Sequence, residues 1–380
     1  MTLRLARDLP ASPEAVWPYV TDPRLINLWS TAAIEETSPG DGGTPGSVGA
    51  LRTVTVPKPG SDMRFEEVIE HSEPPDRLVY RVVGNRLVRY HQGVIRLQGH
   101  GDATRLTWDV DYVFALPGMS SAVNRLLRPD LERSLRQLTT TVRGAPARPA
   151  NGTPRPDDDA ELPQLFAEAD RIILDLRALA DELEANGDPR HWFARVYEYV
   201  TACQLEACRD GTSITHRAWA MRLIPRFFTY FADNLRRGSG HAPVEVEPHW
   251  AAAFSAIETG AGPGQDSALV FWQSLIEGAR AHIEGDLPRV LADVYRDHYA
   301  ARCDYVRFRA DFLLMAPIFS RAWVRLKERV PRAYLPAWMR AMDRFAPPEI
   351  VEALTAKRMY DPLMRRRIAF ERGRELLALD

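Results

Sequence analysis

The sequence predicts an α+β first part, with a curved antiparallel sheet around a long terminal helix, followed by an all-α helical second part. Two observations lead to this prediction. Up to Arg143 the chain consists of short segments of alternating apolar and polar residues, separated by turn residues. Beyond a stretch rich in Pro, Gly and Ala that starts at Gly144, apolar residues recur only at helical intervals. We therefore predict domains at 1–143 and 162–380, joined by a flexible linker at 144–161.

The first domain is predicted to begin with a strand and two short helices. Residues 3–9 alternate as a strand with one solvated face does. Ser12 followed by Pro13 marks the start of a helix, and a second short helix fits residues 23–30. Further strands are predicted at 32–38, 48–57, 65–71, 77–83, 87–98 and 103–114. Apolar residues at intervals of three and four then predict one long helix at 117–143.

The second domain shows helical periodicity throughout, with breaks at glycine and proline. No sequence unit repeats at a fixed period, which favours a globular helical domain over a solenoid. Helices are predicted at 162–186, 190–209, 215–237, 248–259, 265–284, 288–301, 304–329, 331–345, 347–359 and 361–377.

Composition excludes several classes of function. A formal net charge of -2 over 380 residues gives no electrostatic reason to expect nucleic acid as a partner. No apolar stretch is long enough for a transmembrane helix, and the charged residues near Met1 are unlike a secretory signal, so we expect a cytoplasmic protein. The three cysteines have no CxxC spacing, which argues against a disulfide framework. The oligomeric state stays open.

Three motifs and the long helix relate the first domain to a known superfamily. The motifs are Ala11-Ser-Pro-Glu-Ala-Val-Trp17, the segment from Val20 to Trp29, and Arg105-Leu-Thr-Trp-Asp109. Through them the domain resembles the helix-grip START-like/SRPBCC superfamily, and within it the polyketide cyclase/dehydrase and lipid transport branch. The resemblance implies a cavity between sheet and helix that takes a hydrophobic small molecule. It does not imply one reaction, because members of the superfamily transfer lipids, bind hormones or fold polyketides.

Strand alternation predicts which side chains face this cavity. Trp108 and Tyr112 share the apolar face of the last strand, whereas Thr107 lies on the other face. Together with Trp29 and Tyr80 they are the predicted ligand-binding residues.

Tyr90 and His91 are the predicted catalytic residues. A phenol or an imidazole in an apolar pocket can orient a carbonyl or enol, and a histidine can transfer a proton near neutral pH. The alternative is that both are ordinary sheet residues. Glu66 or Glu67 is a further candidate base; neighbouring strand residues face opposite ways, so only one of them can enter the cavity, and the alternative is a surface pair.

His282 and Asp286 form the most chemically specific pair in the second domain. Four residues apart on a helix, their side chains share one face and can bind one metal ion. The alternative is that Asp286 caps the helix opening at Pro288 and His282 donates to it. A zinc site needs at least a third ligand, and the candidates are His216, His249, His298, Asp297 and Asp304. One divalent metal ion is the only cofactor that the sequence suggests.

The segment Ala281-His-Ile-Glu-Gly-Asp-Leu-Pro288 carries a second resemblance. It is similar to the AHI-x-x-DLP motif of a bacterial all-helical family of unknown function. The likeness extends over residues 163–377 and implies no known activity.

Three hypotheses follow for the function. The first is an enzyme of secondary metabolism, a polyketide- or terpenoid-type cyclase or dehydratase of the lyase or isomerase type, with its site in the first domain. The second is a non-catalytic protein that binds or transfers a lipid or another hydrophobic metabolite. The third is a metal-dependent hydrolase that acts through the helical domain.

Overall fold

A computed structural model of the chain forms two compact units, and each is described by itself. Unit 1 comprises Met1–Arg155 with Arg302–Leu313, and unit 2 comprises Pro156–Ala301 with Leu314–Asp380. Most of the predicted linker, residues 144–158, lies outside the described residues. Among those that are described, no helix is both long and apolar enough to span a membrane. The structure describes residues 2–57, 62–143, 159–211, 214–238, 245–261, 266–342, 346 and 348–379.

Unit 1 contains an antiparallel sheet of seven strands in the order β1-β7-β6-β5-β4-β3-β2. Each pair of neighbours in this order is antiparallel, as expected when short turns connect most of the strands. The strands are β1 (Thr2–Leu9), β2 (Ala33–Ser38), β3 (Leu51–Val56), β4 (Met63–Glu73), β5 (Arg77–Val83), β6 (Val88–His100) and β7 (Ala103–Phe114).

Three helices cover one face of this sheet: α1 (Pro13–Thr21), α2 (Pro23–Ile26) and α3 (Met119–Thr141). The Ser12 side chain caps α1 by accepting a hydrogen bond from the amide of Ala15, as the sequence predicts. Buried side chains of α3 lie only in its C-terminal half, at Ser134, Leu135 and Leu138. In the N-terminal half of α3, Val123 is partly buried and packs against the same core. The predicted α+β class of the first domain is confirmed.

The segment Arg302–Leu313 belongs to unit 1, although the sequence analysis assigns it to the helical domain. The side chain of Arg307 forms an ion pair with Asp41, and both are almost fully buried. The Nη1 of Arg309 donates to the carbonyl of Gly49 at 2.8 Å. Ala310 packs against apolar side chains on the sheet face opposite α3. In place of the predicted helix at 304–329, a 3-10 turn here precedes two shorter helices.

Unit 2 is helical, which confirms the all-α class predicted for the second part. One of its cores gathers apolar side chains around Phe271, with Trp192 and Trp272 packed against it. The helices are α4 (Leu162–Ala185), α5 (His191–Asp210), α6 (Arg217–Gly238), α7 (Pro248–Gly260), α8 (Ser267–Arg280), α9 (Leu287–His298), α10 (Arg309–Leu314), α11 (Pro317–Lys327), α12 (Ala337–Met342), α13 (Pro348–Arg358) and α14 (Pro362–Ala378), of which α10 lies mostly in unit 1.

The sequence predicts a break before Pro288, and the structure has a π-helical turn there instead. This turn, Ala281–Asp286, connects α8 directly to α9. Pro288 is the second residue of α9 and directly follows this turn. π-helical turns of this kind occur frequently at functional sites.

Candidate functional site

The four predicted ligand-binding residues lie together on the sheet face that α3 covers. Trp29, Tyr80 and Tyr112 are buried in one core cluster, and Trp108 packs against it. The rings of Trp29 and Trp108 meet edge to face at 6.4 Å, and the indole Nε1 of Trp108 donates to the hydroxyl of Tyr80 at 2.9 Å. Trp108 is only half-buried although it lies within the sheet. Solvent therefore reaches the interior face, and a ligand-binding role for these residues stays a prediction.

A buried ion pair on the same face joins two neighbouring strands. Arg52 of β3 and Glu67 of β4 are directly opposite in the antiparallel register, and their side chains meet at 2.7 Å. Their exposed fractions are only 3% and 6%. The Nε and Nη1 atoms of Arg52 have no hydrogen-bond partner among the residues that the structure describes. Buried N–H groups of a cation without acceptors are costly, so Arg52 is able to bind an acceptor oxygen of a ligand.

The sequence analysis named Glu67 as one of two candidate bases and missed Arg52. Glu67 lies on the interior face and is buried, whereas its neighbour Glu66 faces the other way, as the alternation requires. A signal for Arg52 was present in β3, because Arg52 is in phase with the apolar residues Val54 and Val56. A charged residue in phase with an apolar strand face is a candidate for a buried functional group.

A second carboxylate stands on the other side of Arg52. Glu36 of β2 is opposite Arg52 in the register, and its Oε2 is buried with no hydrogen-bond partner among the described residues. Burial raises the pKa of Glu36, and it also raises the pKa of Glu67, against the opposing effect of the Arg52 charge. A carboxylate with a raised pKa is a stronger base than one in water.

His91 faces the interior beside Tyr80, with the two ring centroids 5.7 Å apart. The amide of Val82 donates to its Nδ1 at 3.2 Å. Burial lowers the pKa of His91 to about 4, so the ring is neutral at pH 7. Because Nδ1 accepts a hydrogen bond, the single ring proton is on Nε2, and His91 is a hydrogen-bond donor. This corrects the expectation that His91 transfers protons near neutral pH.

Tyr90, the other predicted catalytic residue, lies on the opposite face of the sheet. Its ring contacts the guanidinium of Arg81 at 5.5 Å, and Arg81 pairs with Glu70 on that face. The hydroxyl of Tyr90 donates to the side chain of Gln92, two residues along the same face of β6. Because adjacent strand residues point to opposite faces, Tyr90 and His91 cannot both enter the interior. The structure thus corrects the placement of Tyr90 in the site.

The interior face therefore combines an apolar wall with hydrogen-bond donors. Tyr80 accepts from Trp108, which leaves its own phenolic proton to be donated, and burial raises the pKa of Tyr80, so the phenol stays protonated. Together with His91 and Arg52 it can hold the oxygen of a carbonyl or an enolate.

In unit 2, His282 and Asp286 belong to the π-helical turn and are in contact. The carboxylate of Asp286, which is fully buried, accepts hydrogen bonds from His249 Nε2 at 2.7 Å, Trp250 Nε1 at 2.9 Å and His282 Nδ1 at 3.2 Å. Among the described residues, the group of possible metal ligands at Asp286 contains His249, one of the suggested further ligands, and Glu247, which the sequence analysis missed. It does not include His282. Although burial acts in the opposite direction, hydrogen bonds from His249 and His282 hold the pKa of Asp286 below its usual range.

Aromatic side chains surround His282. Its ring stacks on Phe227 with a centroid separation of 3.5 Å and meets Tyr197 edge to face at 4.5 Å. Burial lowers the pKa of His282. Within the described part of the chain, neither the Nε2 of His282 nor the hydroxyl of Tyr197 has a hydrogen-bond partner.

Comparison with solved structures gives neighbours of unit 1. A protein from Thermus thermophilus, TTHA0849, is 18% identical over 37% of this chain and 97% of its own, with a TM-score of 0.31. A START superfamily protein from Mycobacterium smegmatis is 17% identical over 38% and 97%, with a TM-score of 0.33. DynU16, from the dynemicin biosynthetic locus, is 27% identical over 39% and 49%, with a TM-score of 0.29. No curated protein matches the chain.

Family models match both parts of the chain. Residues 1–143 match the family described as polyketide cyclase / dehydrase and lipid transport, which supports the binding of a hydrophobic small molecule. Residues 169–361, just over half of the chain, match a family of unknown function. The matched segment includes the π-helical turn of this chain. The chain therefore belongs to the family of unknown function DUF5995, and it carries a START-like domain in addition.

Proposed function

We propose that unit 1 binds a hydrophobic small molecule with at least one carbonyl group and cyclises or dehydrates it, as a polyketide- or terpenoid-type cyclase of secondary metabolism would. The observation that carries the proposal is the set of donors on an apolar sheet face: the buried Arg52 and Tyr80, and the half-buried His91. The match of residues 1–143 to the cyclase and lipid transport family supports it.

The residues of this face suit an aldol closure followed by loss of water. Glu36, with a raised pKa and an unbonded oxygen, removes a proton from the carbon next to a ligand carbonyl. Tyr80 and His91 donate to the oxygen of the resulting enolate, whose charge Arg52 also stabilises. The enolate carbon then forms a bond to a second carbonyl carbon of the same molecule. The new alkoxide takes the proton back from Glu36. Glu36 then removes the second proton of the attacking carbon, and the hydroxyl group leaves with that proton as water.

Holding the ligand folded accounts for much of the rate in this proposal. An oriented intramolecular reaction lowers the barrier by about 7 to 11 kcal/mol in favourable cases. The side chains listed for the chemistry therefore need to contribute only modestly, which agrees with a site that contains few polar groups.

A second candidate is a non-catalytic carrier of a lipid or another hydrophobic metabolite. The observation that favours it is the match of residues 1–143 to a family whose description includes lipid transport. In a carrier the same donors would only orient the ligand.

The test uses the full-length protein with a poly-β-keto thioester as substrate and 1-anilinonaphthalene-8-sulfonate as a binding probe. We expect the wild type to bind the probe and to form cyclised product faster than the uncatalysed background. Glu36→Gln should keep probe binding and lose at least tenfold in turnover. Tyr80→Phe should weaken substrate binding roughly 3- to 10-fold, as the loss of one neutral hydrogen bond does.

Tyr90→Phe is the matched control, because it removes the same hydroxyl from the opposite sheet face. It should change neither binding nor turnover. Binding without turnover in the wild type would favour the carrier. A wild type that binds neither probe nor substrate would overturn both candidates.

A further inference from the structure

We propose that unit 2 binds one divalent transition-metal ion, of the Zn²⁺ class, through Glu247, His249 and Asp286. The site is independent of the function proposed for unit 1, and its residues lie in the part of the chain that belongs to the family of unknown function.

The three side chains supply a suitable set of ligand atoms. One nitrogen of His249 and carboxylate oxygens of Glu247 and Asp286 all lie within 4.8 Å of one another. Glu247 caps α7 and His249 stands in its first turn, whereas Asp286 ends the π-helical turn, so two elements converge on one point. A histidine with two carboxylates is a donor set that Zn²⁺ accepts, and three protein ligands leave a position for water.

The surroundings of Asp286 resemble the outer shell of a metal ligand. Its Oδ2 accepts hydrogen bonds from both Trp250 Nε1 and His282 Nδ1, whereas its Oδ1 is 2.7 Å from the Nε2 of His249. Trp250 and His282 thus orient the carboxylate and leave Oδ1 directed at His249. Donors that fix a ligating carboxylate in this way commonly tune metal affinity. We assign both as positioning residues.

Close packing keeps His249 in this place. A Cβ atom added to Gly285 would lie 2.3 Å from the Cδ2 of the His249 ring, so only glycine admits the ring here. Glu247 and His249 have side-chain exposures of 23% and 26%, which leaves a route for an ion from solvent.

Two buried polar atoms next to the cluster are an independent sign of function. The Nε2 of His282 and the hydroxyl of Tyr197 lack hydrogen-bond partners among the described residues. His282 is only 4% exposed, so its side chain is almost fully buried. Each such atom costs roughly 1 to 3 kcal/mol of stability. A purely structural core would be more stable with apolar residues at both positions, so these side chains are retained at a cost to the fold.

Arg289 lowers the affinity of the proposed site for a metal ion. It forms an ion pair with Glu247 and stands 4.2 Å above the ring of Tyr230. Its positive charge opposes a bound cation, and the glutamate must share its oxygens between the two. Removal of this charge should therefore strengthen metal binding.

The experiment measures metal binding by the full-length protein after removal of metals with a chelator. Isothermal titration with ZnCl₂ should show one ion per chain, and MgCl₂ should give no binding, because Mg²⁺ prefers a shell of oxygens. Co²⁺ should give the visible absorption of a four- or five-coordinate ion. The absence of stoichiometric Zn²⁺ binding would overturn the proposal.

Variants separate metal binding from a structural hydrogen-bond cluster. Glu247→Gln and His249→Ala, both at partly exposed positions, should weaken Zn²⁺ binding by at least 100-fold, whereas His298→Ala, at an exposed histidine of the same unit, should not. Trp250→Phe should cost 10- to 100-fold and shift the Co²⁺ spectrum. Circular dichroism checks that each variant folds. Equal Zn²⁺ affinity of the His249 and His298 variants would refute the assignment, as would an Arg289→Met variant that binds Zn²⁺ no more tightly than the wild type.

Discussion

The Arg52–Glu67 ion pair offers a sharp test of how unit 1 is built. Both side chains are almost fully buried, so neither charge is stabilised by solvent when its partner is removed. Breaking such a pair at one end costs about 3 to 5 kcal/mol, because the remaining charge stays buried and unpaired. We expect Arg52→Met, which leaves Glu67 buried and unpaired, to destabilise the protein by that amount, and Glu67→Gln to cost less, because Glu36 still faces Arg52.

The double variant Arg52→Met with Glu67→Leu should behave in the opposite way. In the wild type two N–H groups of Arg52 lack acceptors among the described residues, so the pair is incompletely satisfied. Replacing a buried ion pair by apolar residues of similar size is often neutral or stabilising by about 1 to 4 kcal/mol. The double variant should therefore be at least as stable as the wild type, while it loses ligand binding through Arg52.

Differential scanning calorimetry of the full-length protein measures these changes, since it separates the transitions of two units. The transition that shifts in the single variants is that of unit 1. A cost below about 1 kcal/mol for Arg52→Met would show that the pair is solvated. A double variant as unstable as the single ones would show that the fold requires the pair. This would contradict the proposal that Arg52 is present to bind an oxygen of the ligand.

Three further predictions concern unit 1. Between pH 6.5 and about 4, His91 is protonated in the unfolded chain but stays neutral in the folded one, so the free energy of unfolding should fall by up to about 3 kcal/mol as the pH is lowered. Calorimetry at pH 7 and 4.5 should show this loss in the wild type and not in the His91→Asn variant. Gly93→Ala should destabilise unit 1 by about 1 to 3 kcal/mol in urea unfolding, because its Cβ would lie 2.1 Å from the Tyr80 ring; an unchanged unfolding midpoint would contradict this. A fragment of residues 1–143 lacks Arg307, so the buried carboxylate of Asp41 loses its ion-pair partner. The fragment should therefore melt well below the unit 1 transition of the full chain, and an equal melting temperature would contradict this.

Much of the fold could be predicted from the sequence because the signals are local. Alternation of period two predicted strands at 77–83 and 103–114, and the structure has them at Arg77–Val83 and Ala103–Phe114. The helix predicted at 117–143 runs from Met119 to Thr141. Each of these patterns lies within one element, where neighbouring residues suffice to define the geometry.

The sites depended on contacts that no local pattern contains. In β3 the phase of Arg52 indicates a buried side chain, but only the register with β4 places Glu67 opposite it. For β6 the mixed polarity of both faces left open whether Tyr90 or His91 enters the interior.

Sequence alone thus determined the two parts of this protein, the class of each, the likeness of the first part to a family of hydrophobic-ligand proteins and the contact between His282 and Asp286. Tertiary structure decided the rest: the inward face of each strand, the arrival of His249 beside Asp286 from 37 residues away, and the return of Arg307 to Asp41. The physical reason is that periodicity reports which face of an element is apolar. Hydrogen bonds and ion pairs between distant segments depend on how those faces are brought together.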